Sequence, residues 1–256
     1  MQKKTLYKTI CFSLSIITIL VLWWLFSSVE SFRTSRIIPS PFETLVRIWS
    51  EMYEGVLFFS IFRTLLKVFA AVLISFILGF AVAMLSNLNQ QFKNFITPFV
   101  TIIRAVPTIG VILVLIVIFR SSFLISVIIA SLMLFPMLYE NFYTSLREID
   151  NNILQMAKVH RVPLFRRISG IYVPAMIPHI FAGLIASVGM GLKVVIAAEI
   201  LAIPFAGTLG SNMSWANQSL DFELLFSYII VAVVVSFVIE GGLRLIAKLC
   251  MPWKRG

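Results

Sequence analysis

Residues 64–85 read TLLKVFAAVLISFILGFAVAML and contain one charged side chain, Lys67. A helix of about 20 predominantly apolar residues crosses a hydrocarbon core about 30 Å thick. A crossing segment finds no water for its backbone N–H and C=O groups, so it must satisfy them internally, as an α-helix does. The stretch therefore predicts a transmembrane helix.

The rest of the chain repeats this pattern. Of its 256 residues, 60% are hydrophobic and 12% are charged, and the mean hydropathy is +1.00. A soluble domain carries about 25% charged residues, so this composition indicates a membrane protein. Further apolar stretches lie at residues 10–26, 95–119, 123–143, 173–203 and 224–245. We expect an all-α integral membrane protein with about six transmembrane helices, forming a single transmembrane domain over residues 1–256.

A short amphipathic segment separates the first two apolar stretches. Pro39, Ser40 and Pro41 interrupt the chain, and apolar residues then recur at helical spacing with charged residues between them. The apolar positions are Phe42, Leu45, Val46, Trp49, Met52 and Tyr53, and the charged ones are Glu43, Arg47, Glu51 and Glu54. This stripe predicts a helix lying at the membrane interface. Residues 1–60 would then hold the first span and an external amphipathic helix.

The formal net charge of +10 is compatible with nucleic acid binding, or with Lys and Arg retained on the cytoplasmic side of a membrane. If both termini are cytoplasmic, about 13 basic residues lie on that side: Lys3, Lys4, Lys8, Lys93, Arg147, Lys158, Arg161, Arg166, Arg167, Arg244, Lys248, Lys254 and Arg255. About five lie opposite: Arg33, Arg36, Arg47, Arg63 and Arg120. The positive-inside rule therefore predicts that the protein is N-in and C-in. We expect it to contact membrane lipid and not nucleic acid.

Five charged residues fall within or near the apolar stretches: Lys67, Arg104, Lys193, Glu199 and Glu240. A charge at the centre of a span costs about 2.5–3.5 kcal/mol on insertion scales, so it usually faces a partner or water. One interpretation is an interhelical ion pair or a side chain that reaches a helix end. The other is the polar lining of a translocation path or gate.

The longest polar and basic stretch is residues 144–172, which read TSLREIDNNILQMAKVHRVPLFRRISGIY. A short apolar stripe of Ile153, Leu154, Ala157 and Val159 is surrounded by Lys158, Arg161, Arg166 and Arg167. Pro163 should break the helix and leave two short pieces at an angle. The segment suits either a basic loop against anionic lipid headgroups or a docking element for a cytoplasmic partner.

Patterns for chemistry are missing from the sequence. No G-x-x-x-x-G-K-[ST] motif occurs, which argues against a nucleotide-binding loop of that type. His160 and His179 lie 19 residues apart without Cys or carboxylate at metal spacing. The serines have no plausible His/Asp partners. Cys11 and Cys250 are expected to be free thiols. We expect a protein that is not an enzyme and binds no metal or cofactor itself.

Several motifs resemble those of ABC importer permeases, whose cytoplasmic loop carries the pattern E-A-A-x3-G-x9-I-x-L-P. Aligned on Pro174, this chain keeps Ala157, Ile171 and Pro174. It has Gln155 for Glu, Met156 for the first Ala, Arg161 for Gly and Val173 for Leu. Since Gly accepts a positive φ, the family's Gly allows a sharp turn there. In this chain Pro163 would set the bend instead, or Arg161 would reach an acidic residue of a partner.

Other stretches extend the resemblance over residues 38–248. Pro39-Ser40-Pro41 is similar to the family's entry into the amphipathic segment, and Arg104-Ala105-Val106-Pro107 to its R-A-I-P. Ala197-Ala198-Glu199-Ile200-Leu201 resembles the A-A-E-L-L of the nitrate, sulfonate and taurine branch. The resemblance implies a type I permease fold, with residues 61–248 as the permease core and residues 150–165 as a cytoplasmic coupling helix.

The resemblance also implies partners. Two permease subunits, expected as a homodimer, would form the path in the bacterial cytoplasmic (inner) membrane. Two cytoplasmic ATPase subunits would bind ATP and Mg²⁺ and drive it, and an extracytoplasmic substrate-binding protein would deliver a small solute. Thiamine precursors are a further substrate class of related permeases, while the cationic side chains favour an anion.

Two sets of site residues follow from the resemblance. ATPase coupling would involve Gln155, Met156, Ala157, Lys158, His160, Arg161 and Pro163. The path or gate would involve Arg104, Pro107, Lys193 and Glu199. The alternatives are a secondary transporter that works without an ATPase and a membrane-embedded enzyme.

Overall fold

The computed structural model describes residues 2–29, 37–119, 121–202 and 207–251. Regular structure in these ranges is helical throughout. The elements are α1 (Gln2–Ser28), α2 (Pro41–Tyr53), α3 (Val56–Leu88), α4 (Gln90–Ala105), α5 (Thr108–Ile118), α6 (Ser122–Arg147), α7 (Asn151–Val159), α8 (Leu164–Arg167), a π-helical turn (Ile168–Tyr172), α9 (Val173–Leu201), α10 (Leu209–Gln218) and α11 (Phe222–Cys250). The basic residues Arg33, Arg36, Arg120, Lys254 and Arg255 lie outside the described ranges.

Four helical segments of the described chain are long and apolar enough to cross a membrane: α3, α6, α11 and the continuous helical run Leu164–Leu201, which ends in α9. Helices α4 and α5 together count as a fifth, bent by 92°. Helix α1 contributes a shorter apolar part, Ser13–Ser28, and would supply the sixth span of the sequence prediction.

The apolar stretch at residues 95–119, expected as one span interrupted by Pro98 and Pro107, is broken at only one of the two prolines. Helix α4 ends at Ala105, and Val106 has extended φ and ψ of −71° and 129°. Pro107 then precedes α5. Proline has no N–H to donate, and it keeps the residue before it out of helical geometry, so the two helices are separated at this point. Pro98, by contrast, lies inside α4 without ending it.

The stretch at residues 204–223 is rich in Gly, Ser and Asn, a composition typical of a loop, yet it contains the helix α10. Thr208 caps its N-terminus in a capping box, in which Ser211 N donates to Thr208 Oγ1 at 3.2 Å and Thr208 N donates to Ser211 Oγ at 2.9 Å. Leu209, Met213 and Ala216 are buried in a cluster with α11. Tertiary packing therefore outweighs the weak helix propensity of the Ser and Asn residues.

Helix α6 is the centre of the bundle and packs against α3 on one side and α9 on the other. Small residues let these helices approach closely. A Cβ on Gly79 of α3 would come within 3.1 Å of the backbone N of Tyr139, and the Ser75 hydroxyl donates to the Ser131 carbonyl at 2.9 Å. Gly183 and Gly191 of α9 likewise allow close approach, because a Cβ on either would crowd side chains of α6.

Helix α2 is the predicted amphipathic helix, and its polar side faces the protein. Thr44 and Glu51 are buried, and the Tyr228 hydroxyl of α11 donates to Glu51 Oε2 at 2.9 Å. The apolar stripe is exposed: Phe42, Leu45, Val46, Trp49, Met52 and Tyr53. A water-soluble fold would turn this stripe inward, so its orientation suits contact with lipid.

Candidate functional site

The segment between α6 and α9 forms two short helices at a sharp turn. Helix α7 ends at Val159, where His160 N donates to the Met156 carbonyl at 3.0 Å and Val162 N donates to the Ala157 carbonyl at 2.9 Å. The second of these bonds spans six residues, as in a Schellman C-terminal motif. Helix α8 begins after Pro163, which confirms the break expected there.

Arg161 occupies the left-handed position of this turn, with a φ of 51°. This is the site that glycine usually fills, because a side chain there costs about 1–2 kcal/mol. The bend is therefore made by Arg161 itself, while Pro163 starts α8. Arg167 Nε donates to the Val162 carbonyl at 2.7 Å and ties α8 to the turn.

The segment exposes apolar and basic side chains together. Met156 is 62% exposed, Val159 79% and Phe165 80%, and Arg161 and Arg166 are exposed beside them. Gln155, His160 and Pro163 are exposed as well, whereas the side chain of Lys158 is outside the description. Large apolar side chains that protrude among cations are typical of an interaction surface.

Two details differ from the sequence-based selection of residues. Ala157, expected at the contact surface, is only 5% exposed and lies on the inner side of α7. Phe165, which the selection omitted, is the most exposed large apolar side chain of the segment. Its position two residues after the helix-breaking Pro163 and directly before Arg166 and Arg167 was the available signal.

The segment is anchored to the bundle at its base. Ile149 and Leu154 pack into the core cluster that contains Leu138 and Phe142 of α6. Glu148 Oε2 lies 3.0 Å from His179 Nε2 of α9. A force on α7 and α8 would therefore reach both α6 and α9 directly.

Glu199 lies in a closed buried network, 1% exposed. Its Oε1 accepts from Lys67 Nζ of α3 at 2.8 Å, and its Oε2 accepts from the backbone N of Gly210 at 3.0 Å. The Thr64 hydroxyl lies 3.2 and 3.0 Å from the two carboxylate oxygens and accepts from Leu209 N at 3.0 Å. The network joins α3, α9 and the start of α10, so it corresponds to the interhelical ion pair considered above.

The other three path candidates lie elsewhere. Arg104, in the last turn of α4, pairs with Glu140 of α6, and both side chains are about half exposed. Pro107 is exposed at the bend between α4 and α5. Lys193 is exposed and lines a cavity between α9 and α11 that Glu240 also lines. The structure therefore places the four candidates in three separate regions.

The described residues hold no group of three or more His, Cys, Asp or Glu side chains that could bind a metal ion. Among the polar clusters of the described residues, Lys67–Glu199, Arg104–Glu140 and Glu148–His179 join different helices.

Two curated bacterial proteins align over most of the chain. The protein named as the aliphatic sulfonates transport permease SsuC of Bacillus subtilis is 21% identical over 221 residues, which cover 86% of this chain and 79% of that protein. The taurine transport system permease protein TauC of Escherichia coli is 20% identical over 249 residues, which cover 92% of this chain and 86% of that protein.

The fold is shared with a solved bacterial ABC transporter involved in the import of the acidic polysaccharide alginate. The TM-score is 0.68 at 16% identity, and the match covers 95% of this chain and 98% of the other. Residues 75–249, about two thirds of the chain, match the sequence pattern of binding-protein-dependent transport system inner membrane components. The chain belongs to that family, and it is a permease subunit of an ABC importer.

Proposed function

We propose that the α7–α8 segment is the contact through which cytoplasmic ATPase subunits drive this permease, and that the cargo is a small solute carrying an anionic group. Membership of an ABC importer implies an ATPase and a substrate-binding protein as partners. The observation that carries the ATPase contact is the protruding Met156, Val159 and Phe165 beside Arg161 and Arg166.

The geometry suits the transmission of motion. A partner that grips the exposed side of α7 and α8 would move α6 and α9 with it, because Leu154 and the Glu148–His179 pair hold the segment to both helices. Packed helices switch between two arrangements more readily than they deform continuously. In this proposal ATP and Mg²⁺ bind to the ATPase subunits, and this chain converts their closure into a change of access.

The assembly that we propose is a pair of these chains with the path between them. Both termini and the α7–α8 segment would face the cytoplasm, as the distribution of Lys and Arg favours. The substrate-binding protein would dock on the opposite side, where α2 and α10 lie. The permease branch marked by Ala197–Leu201 and the exposed cation Lys193 favour a sulfonate-like or other small anion.

The test is co-purification of the ATPase with Phe165→Asp, compared with the matched variant Phe165→Leu. We expect the Asp variant to insert normally but to lose most bound ATPase and uptake, because a charge replaces an apolar contact. The Leu variant should retain both. Full ATPase binding and uptake by Phe165→Asp would refute the assignment of the contact.

Ala157→Arg provides a second test of the same contact. Because Ala157 is buried, an arginine there should distort α7 from inside and also prevent assembly with the ATPase. Insertion should be intact, since the substitution lies outside the apolar spans. Normal uptake by this variant would contradict the role of the segment.

A further inference from the structure

A cavity of about 370 Å³ lies between α9 and α11. Its wall includes Leu192, Lys193, Ile196, Ser236, Phe237 and Glu240. The volume falls within the range of about 300–1,000 Å³ that is typical of small-molecule sites. Most of the lining is apolar, and a cationic and an anionic side chain lie on opposite helices.

The Lys67–Glu199 ion pair in the same chain provides a comparison for Lys193 and Glu240. Lys67 and Glu199 also lie on two different helices, and their charged atoms are 2.8 Å apart in a fully buried setting. Lys193 and Glu240 share one cavity, yet within the described part of the chain they form no ion pair at 4.0 Å or less. The charged atoms of Lys193 and Glu240 are therefore more than 4.0 Å apart, although both side chains line the same cavity.

Glu240 is held against the cavity wall. The Ser236 hydroxyl donates to Glu240 Oε1 at 3.2 Å, and Arg244, one turn further along α11, lies 3.4 Å from Oε2. Arg244 is 68% exposed, so its pairing with Glu240 is weak and leaves the carboxylate attractive to other cations. Gly189 of α9 makes room, because a Cβ there would come within 2.5 Å of Glu240 Oε1.

We propose that this cavity is a binding subsite for a small zwitterion, whose anionic end lies at Lys193 and whose ammonium end lies at Glu240. The inference rests on the proposed function, since it assigns the cargo class of the same transporter. Charges within a span need compensation. A plain anion would compensate Lys193 and face Glu240 unfavourably, whereas a zwitterion compensates both. The apolar remainder of the wall suits a short methylene chain between the two ends.

The experiment is equilibrium dialysis of radiolabelled ligands against the purified permease–ATPase complex in nanodiscs, without the binding protein. Taurine is the zwitterionic probe, and ethanesulfonate is the matched anion that lacks the ammonium group. We expect Glu240→Gln to raise the Kd for taurine about tenfold or more, because a charge-assisted hydrogen bond is lost. The Kd for ethanesulfonate should stay unchanged or fall.

Lys193→Gln should raise the Kd for both probes, since both carry the sulfonate. Gly189→Ala gives a milder test: it displaces the Glu240 carboxylate without changing its charge, so it should weaken taurine alone. Glu54→Gln, which changes an exposed carboxylate outside the cavity, is the control and should bind both probes as the wild type does.

Four outcomes would overturn the proposal. In the first, the wild-type complex does not bind taurine. In the second, Glu240→Gln changes the Kd for both probes equally, and in the third, Lys193→Gln/Glu240→Gln binds taurine as the wild type does. In the fourth, the complex retains a phosphatidylethanolamine that only Glu240→Gln releases, while taurine binding is unaffected. Recovery in the double variant would mean that the two residues compensate each other. All of these are distinct from failure of the ATPase contact, which shows as loss of the complex itself and is tested at Phe165.

Discussion

Arg161 holds a backbone conformation that suits glycine better, with a φ of 51°. We expect Arg161→Gly to keep the turn and to raise the stability of the segment by about 0.5–1 kcal/mol. Glycine relieves the left-handed strain, but it loses more conformational entropy on folding, which offsets part of the gain. Arg161→Val should destabilise it, because a β-branched residue fits this conformation poorly. Hydrogen exchange of Val162 N–H, which closes the turn, measures both effects. Faster exchange in the Gly variant would contradict this account.

The Lys67–Glu199 pair predicts a large effect of a single neutralisation. Glu199→Gln keeps one acceptor oxygen, which can serve both Gly210 N and Thr64, but leaves the Lys67 ammonium buried without its counter-charge. The loss of stability should be about 3–5 kcal/mol. Lys67→Met/Glu199→Gln should recover most of it, because no unpaired charge remains. Thermal unfolding in detergent gives the comparison, and a double variant no better than the single one would show that the charge is not the cause.

At the scale of residues, the sequence shows which charged side chains lie in apolar stretches, but not which residues they pair with. It places Lys67 and Glu199 within apolar stretches and leaves open an ion pair or a path. The two residues lie 132 positions apart, so only the packing of α3 against α9 shows that they meet. The sequence also did not show that Ala157 faces inward. On a short helix such as α7, a shift of one residue in the packing turns a different side chain toward the bundle.

At the scale of elements, α10 approaches α9 so closely that Gly210 is needed. A Cβ there would lie 2.5 Å from Glu199 Cβ and 2.6 Å from the Ile196 carbonyl. We expect Gly210→Ala to separate the two helices and to lower the unfolding temperature markedly, with insertion unchanged. Gly110→Ala in α5, where a Cβ meets nothing within 4 Å, is the matched control and should be neutral or slightly stabilising. Similar unfolding temperatures for the two variants would contradict the close approach.

The long helices were predictable because apolar length alone indicates them. The bend between α4 and α5 was only half predictable. Pro107 and Pro98 look alike in the sequence, yet one separates two helices and the other lies within one. Helix α10 was missed because its polar residues carry a turn-like composition. Its burial against α11 is a long-range effect that local pattern does not contain.

At the scale of the whole molecule, the two cysteines test the orientation. Cys11 and Cys250 are both exposed side chains, and both should lie near the cytoplasmic face. A membrane-impermeant maleimide should therefore leave intact spheroplasts unlabelled and label Cys250 in inverted vesicles. Tyr53→Cys, in a Cys11→Ser/Cys250→Ser background, should show the reverse, since Tyr53 is 89% exposed on the predicted external helix. Labelling of Cys250 in spheroplasts would reverse the proposed topology.

The Lys67–Glu199 pair also has a consequence for biogenesis. Ribosomes add about 5–20 residues per second, so the 132 residues between the two positions take about 7 to 26 s to synthesise. Throughout that interval Lys67 has no counter-charge available from Glu199. Helix α3 would then be held at the insertion machinery, or with its ammonium reaching the lipid headgroups, until α9 emerges. Chains truncated before Glu199 should be degraded faster than chains truncated after Gly210, because only the longer chains can pair Lys67 with Glu199.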